Sequence, residues 1–127
     1  GMGRALIEAL KKACPGQKIL CVGTNAVATA SMLRSGAEGG ATGENAVLVN
    51  ARDADVILGP LGIVLADALM GEITPKMAAA VGASRARTIL LPAANCRVHI
   101  AGTGALSMQQ AVADAADKFL QWSGEMT

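Results

Sequence analysis

The sequence predicts an α/β domain with helices on both faces of a largely parallel sheet, and three observations carry that expectation. Apolar runs at Lys18–Val22, Val56–Leu58 and Thr88–Leu91 each stop at a glycine or proline, as buried strands do. Segments with helical spacing and helix-start residues lie between them, so strands and helices alternate. The composition is 52% hydrophobic but only 2% aromatic, so the core must be Ala, Val, Leu, Ile and Met, side chains suited to close helix-on-sheet packing. At 127 residues the chain reads as a single domain, 1–127, long enough to bury an ordinary core.

Met2–Ala13 opens the chain as a helix. Met2, Leu6, Ala9, Leu10 and Ala13 recur on one side, and Arg4, Glu8, Lys11 and Lys12 take the other. Cys14-Pro15-Gly16 stops it. The Lys18–Val22 strand enters Gly23, Thr24 or Asn25 can cap a helix over Ala26–Arg34, and Gly36 can end it. A glycine-rich turn is expected from Ala37 to Gly43. Thr42 is the expected cap of a helix over Gly43–Arg52. Val47-Leu48-Val49 would also suit a strand, but Asp53-Ala54-Asp55 leads straight into the better strand at Val56–Leu58.

Gly59-Pro60-Leu61-Gly62 makes the next strand-end turn, and Ile63–Met70 reads as helix up to Gly71. Thr74-Pro75 starts another helix, with a capping hydroxyl and then Pro at the first helical position, and Gly82 closes it. After the Thr88–Leu91 strand, Cys96–Ala101 reads as a fourth, edge strand, alternating Val98 and Ile100 with Arg97 and His99. Ser107 with Gln110 forms a capping box. It opens the longest helix, to about Trp122, whose apolar stripe is Met108, Ala111, Val112, Ala115, Ala116, Phe119 and Trp122.

A doubly wound sheet normally opens on a strand, yet this chain opens on a helix. Gly1-Met2-Gly3 reads either as the tail of a Gly-rich strand-to-helix turn or as a residue left by a purification tag ahead of Met2. On both readings a first strand is expected to be missing.

Composition also narrows function. Lys and Arg number 11 against 10 Asp and Glu, and they are scattered, so no basic footprint for nucleic acid is expected. No apolar run approaches a membrane span, and no signal-peptide pattern opens the chain, so a cytoplasmic protein is expected. Cys14, Cys21 and Cys96 are odd in number, form no CxxC and share one histidine. They read as thiols of a reducing compartment and not as a zinc site.

The segments GTNAVATASMLRSGAEGGATGENAV, ADVILGPLGIVLADALMGEITPKMA and ILLPAANCRV resemble a bacterial family known only as a domain of unknown function. The likeness runs over nearly the whole chain from Gly3. It implies a Rossmann-like three-layer sandwich with a mostly parallel sheet. It also implies an N-terminal strand and a Gly-rich turn, of which this chain keeps at best Gly1 and Gly3. It implies no activity.

Candidate binding residues cluster where strands hand over to helices. Gly23, Thr24 and Asn25 can offer a helix N-terminus, a hydroxyl and an amide to an anion, although a turn with a helix cap needs the same residues. Thr42, Gly43, Glu44 and Asn45 make a second such junction, and Gly59 and Gly62 let a backbone pass close to a ligand or simply pack a turn. No P-loop is present, since no GK[ST] follows the glycines.

The expected function is binding of a small anionic metabolite, with a nucleotide or dinucleotide as candidate ligand and the cofactor otherwise unassigned. Thr24 and Asn25 stand where a nicotinamide reader would place an acid, which weighs against that class. Two alternatives stay open, a non-catalytic oligomeric scaffold and an enzyme using Glu44 or Glu72 as acid or base. His99 has no nucleophile or acid beside it at readable spacing, so no catalytic role is assigned to it. The apolar composition makes a homo-oligomer the expected assembly.

Overall fold

A computed structural model describes residues 1–92 and 97–126. Helix α1 (Met2–Ala13) buries Leu6, Ile7 and Leu10. Strand β1 (Leu20–Gly23) leads through Asn25 into α2 (Ala26–Arg34), and β2 (Gly39–Thr42) leads through Gly43 into α3 (Glu44–Asp53). Strand β3 (Val56–Pro60) passes into a 3-10 turn (Leu61–Val64), and α4 (Pro75–Ala83), β4 (Arg87–Leu91) and α5 (Met108–Met126) complete the order. The α/β class and the parallel strands stand as expected, and no helix among the described residues is long and apolar enough to cross a membrane.

The strands form two separate parallel pairs. β1 lies beside β2, Leu20 opposite Gly39 through Gly23 opposite Thr42, and β3 lies beside β4, Val56 opposite Arg87 through Pro60 opposite Leu91. Both pairs need a helical crossover, and α2 and α4 supply them. Leu6 and Leu10 of α1 join Ile89, Leu91 and five residues of α5, from Ala111 to Phe119, in the main core. Ile19, just ahead of β1, and Val56 and Leu58 of β3 pack against this same cluster, so α1 ties the two pairs together. A second cluster, Ile73, Met77 and Ala78 with Val47 and Leu48, joins α3 to α4.

Hydrogen-bond alternation shows which strand edges are turned away from their partners. The carbonyls of Ile19 and Gly23 accept from the Glu38 and Gly43 amides, so the backbone groups of Leu20 and Val22 point to the other edge of β1. The Asp55 carbonyl accepts from Arg87, so Val56 and Leu58 point away from β4. Burial does not follow this division: Cys21 and Gly23 of β1 and Ile89 and Leu91 of β4 are buried, Leu20 is exposed, and Ile57 and Leu58 are both half-buried. Strands of a covered parallel sheet are buried on both faces, and none of the four is buried throughout.

Four expectations are corrected. Gly39–Thr42 is a strand, not a turn. A Cβ at Gly40 would lie 2.8 Å from Cys21 Sγ and 3.1 Å from Thr29 Cγ2, so this strand is chosen for thinness under α2 and lacks an apolar signal. Thr42 does not cap α3. It ends β2, and Gly43 at φ 98° is the cap residue. Ile63–Met70 is not an α-helix, because the 3-10 turn ends at Val64 and a chain of turns follows, with Asp67, Leu69 and Met70 at positive φ. Arg97–Ala101 form no strand, and Arg97, His99 and Ile100 are exposed; Cys96, the start of that expected strand, lies outside the described residues. Alternation without a partner edge does not make a strand.

Candidate functional site

The carboxyl ends of β1 and β2 meet in a compact polar corner. Gly23 makes it possible. A Cβ there would lie 2.3 Å from Thr29 Oγ1 and 2.7 Å from the Thr29 amide nitrogen, so only glycine lets α2 start this close to the strand. Asn25 then caps α2, its Oδ1 accepting from the Ala28 amide at 2.9 Å. The Gly43 amide donates to the Gly23 carbonyl at 3.0 Å and closes the corner from the β2 side. Glu44 and Asn45 form the first turn of α3, where a carboxylate complements the helix dipole.

Thr29 organises the corner, and no strand-end or cap reasoning points to it. It is the buried polar side chain among the described residues, and its hydroxyl lies 2.7 Å from the Thr42 hydroxyl. It also reaches the Asn25 and Ala41 carbonyls, at 3.2 and 3.3 Å. Either hydroxyl can donate across the Thr29–Thr42 contact; with Thr42 donating, the single Thr29 proton goes to the Asn25 or Ala41 carbonyl. The signal that marks Thr29 is its place one helical turn after the cap, facing back toward the strand.

Cys21 lies below the corner, and burial pushes its thiol above the ordinary value, only partly offset by its backbone hydrogen bond. That makes it a packing thiol and not a nucleophile.

Gly59 and Gly62 stand apart from this corner. Both are buried; an added Cβ at Gly59 would crowd Ile63 Cδ1 at 2.9 Å, whereas one at Gly62 would make ordinary contacts with Ala68 and Leu69 at 3.4–3.6 Å, so the smallness of Gly59 serves packing within the β3 turn. The hydrogen bond that links the second strand pair to the corner comes from Glu72, whose Oε2 accepts from Asn25 Nδ2 at 3.0 Å. Glu72 is carried by a turn in which Leu69, Met70 and Gly71 have φ of 55°, 57° and 86°. Left-handed backbone costs an L residue such as Leu or Met about 1–2 kcal/mol each. A single hydrogen bond contributes roughly 0.5–1.5 kcal/mol net, so the Glu72 contact alone does not hold the turn. Its own backbone does: the Asp67 amide donates to the Ile73 carbonyl at 2.6 Å, the Ile73 amide to the Ala68 carbonyl at 3.1 Å, and the Gly71 and Glu72 amides to the Asp67 and Leu69 carbonyls, both at 3.2 Å.

Two surface concavities lie away from this corner. One of about 340 Å³ runs between the last turns of α3 and α4, lined by Leu48, Ala51, Arg52, Ala80, Ser84 and Arg85. A smaller one, of about 70 Å³, sits between β4 and α5.

The model of a family described as a domain of unknown function, DUF3842, matches residues 1–123. Neither a curated protein nor a solved structure matches the chain.

Proposed function

We propose that this chain, which belongs to the DUF3842 family, is a cytoplasmic module that binds a small phosphate- or carboxylate-bearing metabolite, a nucleotide among the candidates, at the carboxyl ends of β1 and β2. One observation carries the reading. Two strand-to-helix junctions converge within one hydrogen bond of each other at Gly23 and Gly43, so the N-termini of α2 and α3 open side by side. Such paired junctions, with free amide groups and the positive ends of two helix dipoles, favour an anion. Thr24, Asn25, Thr42, Gly43, Glu44 and Asn45 surround the point where it would rest; Gly59 and Gly62 shape the neighbouring turn.

A strand between β1 and β3 belongs to this proposal. Their outward-turned edges and the position of α1 across both pairs support it. In doubly wound sheets the ligand crevice opens where the chain reverses direction across the sheet, which is here the gap between those strands. Assembly into a homo-oligomer is part of the same proposal, supported by exposed Leu20 and Val27. A strictly monomeric protein in sedimentation velocity would remove it.

The test of binding is a thermal-shift panel of nucleotides, dinucleotides and sugar phosphates. Asn25→Ala and Asn45→Ala are expected to abolish any stabilisation the panel reveals. Stabilisation that survives both substitutions would place the ligand elsewhere.

A further inference from the structure

Helices α3 and α4 pack through Val47, Leu48, Met77 and Ala78, and the concavity of about 340 Å³ lies between their last turns. That volume falls in the ordinary range of small-molecule pockets, roughly 300–1,000 Å³. Its apolar lining is Leu48 and Ala51 from α3 and Ala80 and Ala83 from α4, and Arg52 and Arg85 line it as well. Ser84 sets the spacing of the two helix ends. Its hydroxyl donates to the Ala51 carbonyl at 2.6 Å, across 33 positions, and accepts from the Ala86 amide at 3.1 Å. A cross-helix bond therefore holds the hollow in shape.

Arg52 and Arg85 are exposed, and among the described residues neither makes an ion pair or a side-chain hydrogen bond. A guanidinium at a helix end can serve by bonding the last carbonyls. These two do not, and the carbonyls of Asn50, Ala51 and Val81 are taken by the Ala54 amide, the Ser84 hydroxyl and the Ser84 amide. Two cations thus line one hollow with neither a cap nor an acid to satisfy. Like charges in one small space repel, and an anion there removes that cost.

We propose that this hollow binds a small monocarboxylate with an apolar body, a medium-chain fatty acid in chemical class. Arg52 and Arg85 hold the carboxylate, since the planar guanidinium fork matches its two oxygens. The hydrocarbon lies on Leu48, Ala51, Ala80 and Ala83. A phosphate fits less well, because the remaining hydroxyl, that of Ser84, has already given its proton to Ala51. The site is separate from the Gly23–Gly43 corner: α3 has 10 residues and is about 15 Å long, and corner and hollow lie at its opposite ends.

Octanoate titrated into the full chain, followed through the amide resonances of residues 48–52 and 80–86, tests the assignment. Saturable shifts confined to those residues are expected, with residues 24–28 and 43–47 unmoved. The double variant Arg52→Gln with Arg85→Gln is expected to weaken binding by at least about tenfold while keeping the fold, since both positions are exposed. Ala83→Trp, at another exposed position, leaves both guanidiniums in place and is expected to abolish binding by filling the hollow. Octylamine, with the same hydrocarbon and the opposite charge, is expected to leave the resonances unmoved. Equal binding of octanoate and octylamine, or unchanged affinity in the double variant, overturns the carboxylate assignment. Octanoate without saturable shifts, or with shifts centred on residues 24–28 and 43–47, overturns the site.

Discussion

Gly23 and Cys21 show how much a single position in this chain is constrained by its neighbours. At Gly23 an added methyl would overlap the Thr29 backbone nitrogen at 2.7 Å, an atom fixed in the first turn of α2, so the strain cannot be relieved by a rotamer change. Gly23→Ala is expected to cost roughly 1–3 kcal/mol in urea denaturation, the range of an overpacked site, and a neutral result would show that α2 can slide. Cys21 responds to pH. Burial raises its thiol above the ordinary value near 9, so the folded chain holds that proton more tightly than the unfolded one. Its contribution to stability is complete below that value and is lost as pH climbs through the raised one. The denaturation midpoint should therefore fall above about pH 9, and fall less in Cys21→Ala. Identical pH profiles would contradict this. Neither constraint is visible in the sequence, where Gly23 is one of 15 glycines and Cys21 one of three cysteines.

Elements with local signals are legible, and elements defined by their partners are not. Asn25, Thr74 and Ser107 announce the starts of α2, α4 and α5 because a cap joins residues two or three apart. Thr74 accepts from the Met77 amide at 3.1 Å with Pro75 behind it, so Thr74→Ala is expected to cost about 1 kcal/mol, read as a shift in urea midpoint. A loss well under that would mean that packing of Met77 and Val81 holds the helix start alone. β2 gives the opposite lesson. Gly39-Gly40-Ala41-Thr42 has no apolar run, and it becomes a strand because β1 offers an edge and α2 requires a thin surface beneath it. The stretch after β3 misleads in the other direction. Leu61 to Met70 has helical composition, yet the buried Gly62 and the Ile73 carbonyl pull it into a turn.

Across the whole molecule, the division of the strands into two pairs governs where the fold is weakest. The amides of Leu20, Val22, Val56 and Leu58 face away from their partners, whereas Cys21 and Ile57 face toward them. Hydrogen exchange should therefore alternate along β1 and β3, the first set exchanging at least about tenfold faster than the second. Uniform protection along both strands would mean that a further strand already lies between them. The turned-away edge of β1 ends at the polar corner.

The parallel α/β class, the helices α1 to α5 and the caps at Asn25, Thr74 and Ser107 follow from the sequence alone, because each depends on periodicity or on residues within a few positions of one another. Tertiary structure decided what depends on distant partners. It made Gly39–Thr42 a strand, gave Thr42 to the Thr29 hydroxyl instead of to a helix cap, brought Glu72 to Asn25 across 47 positions, and paired β1 with β2 and β3 with β4 but not β1 with β3. Pairing between strands is a contest among edges, and no local pattern records which edge a strand will meet.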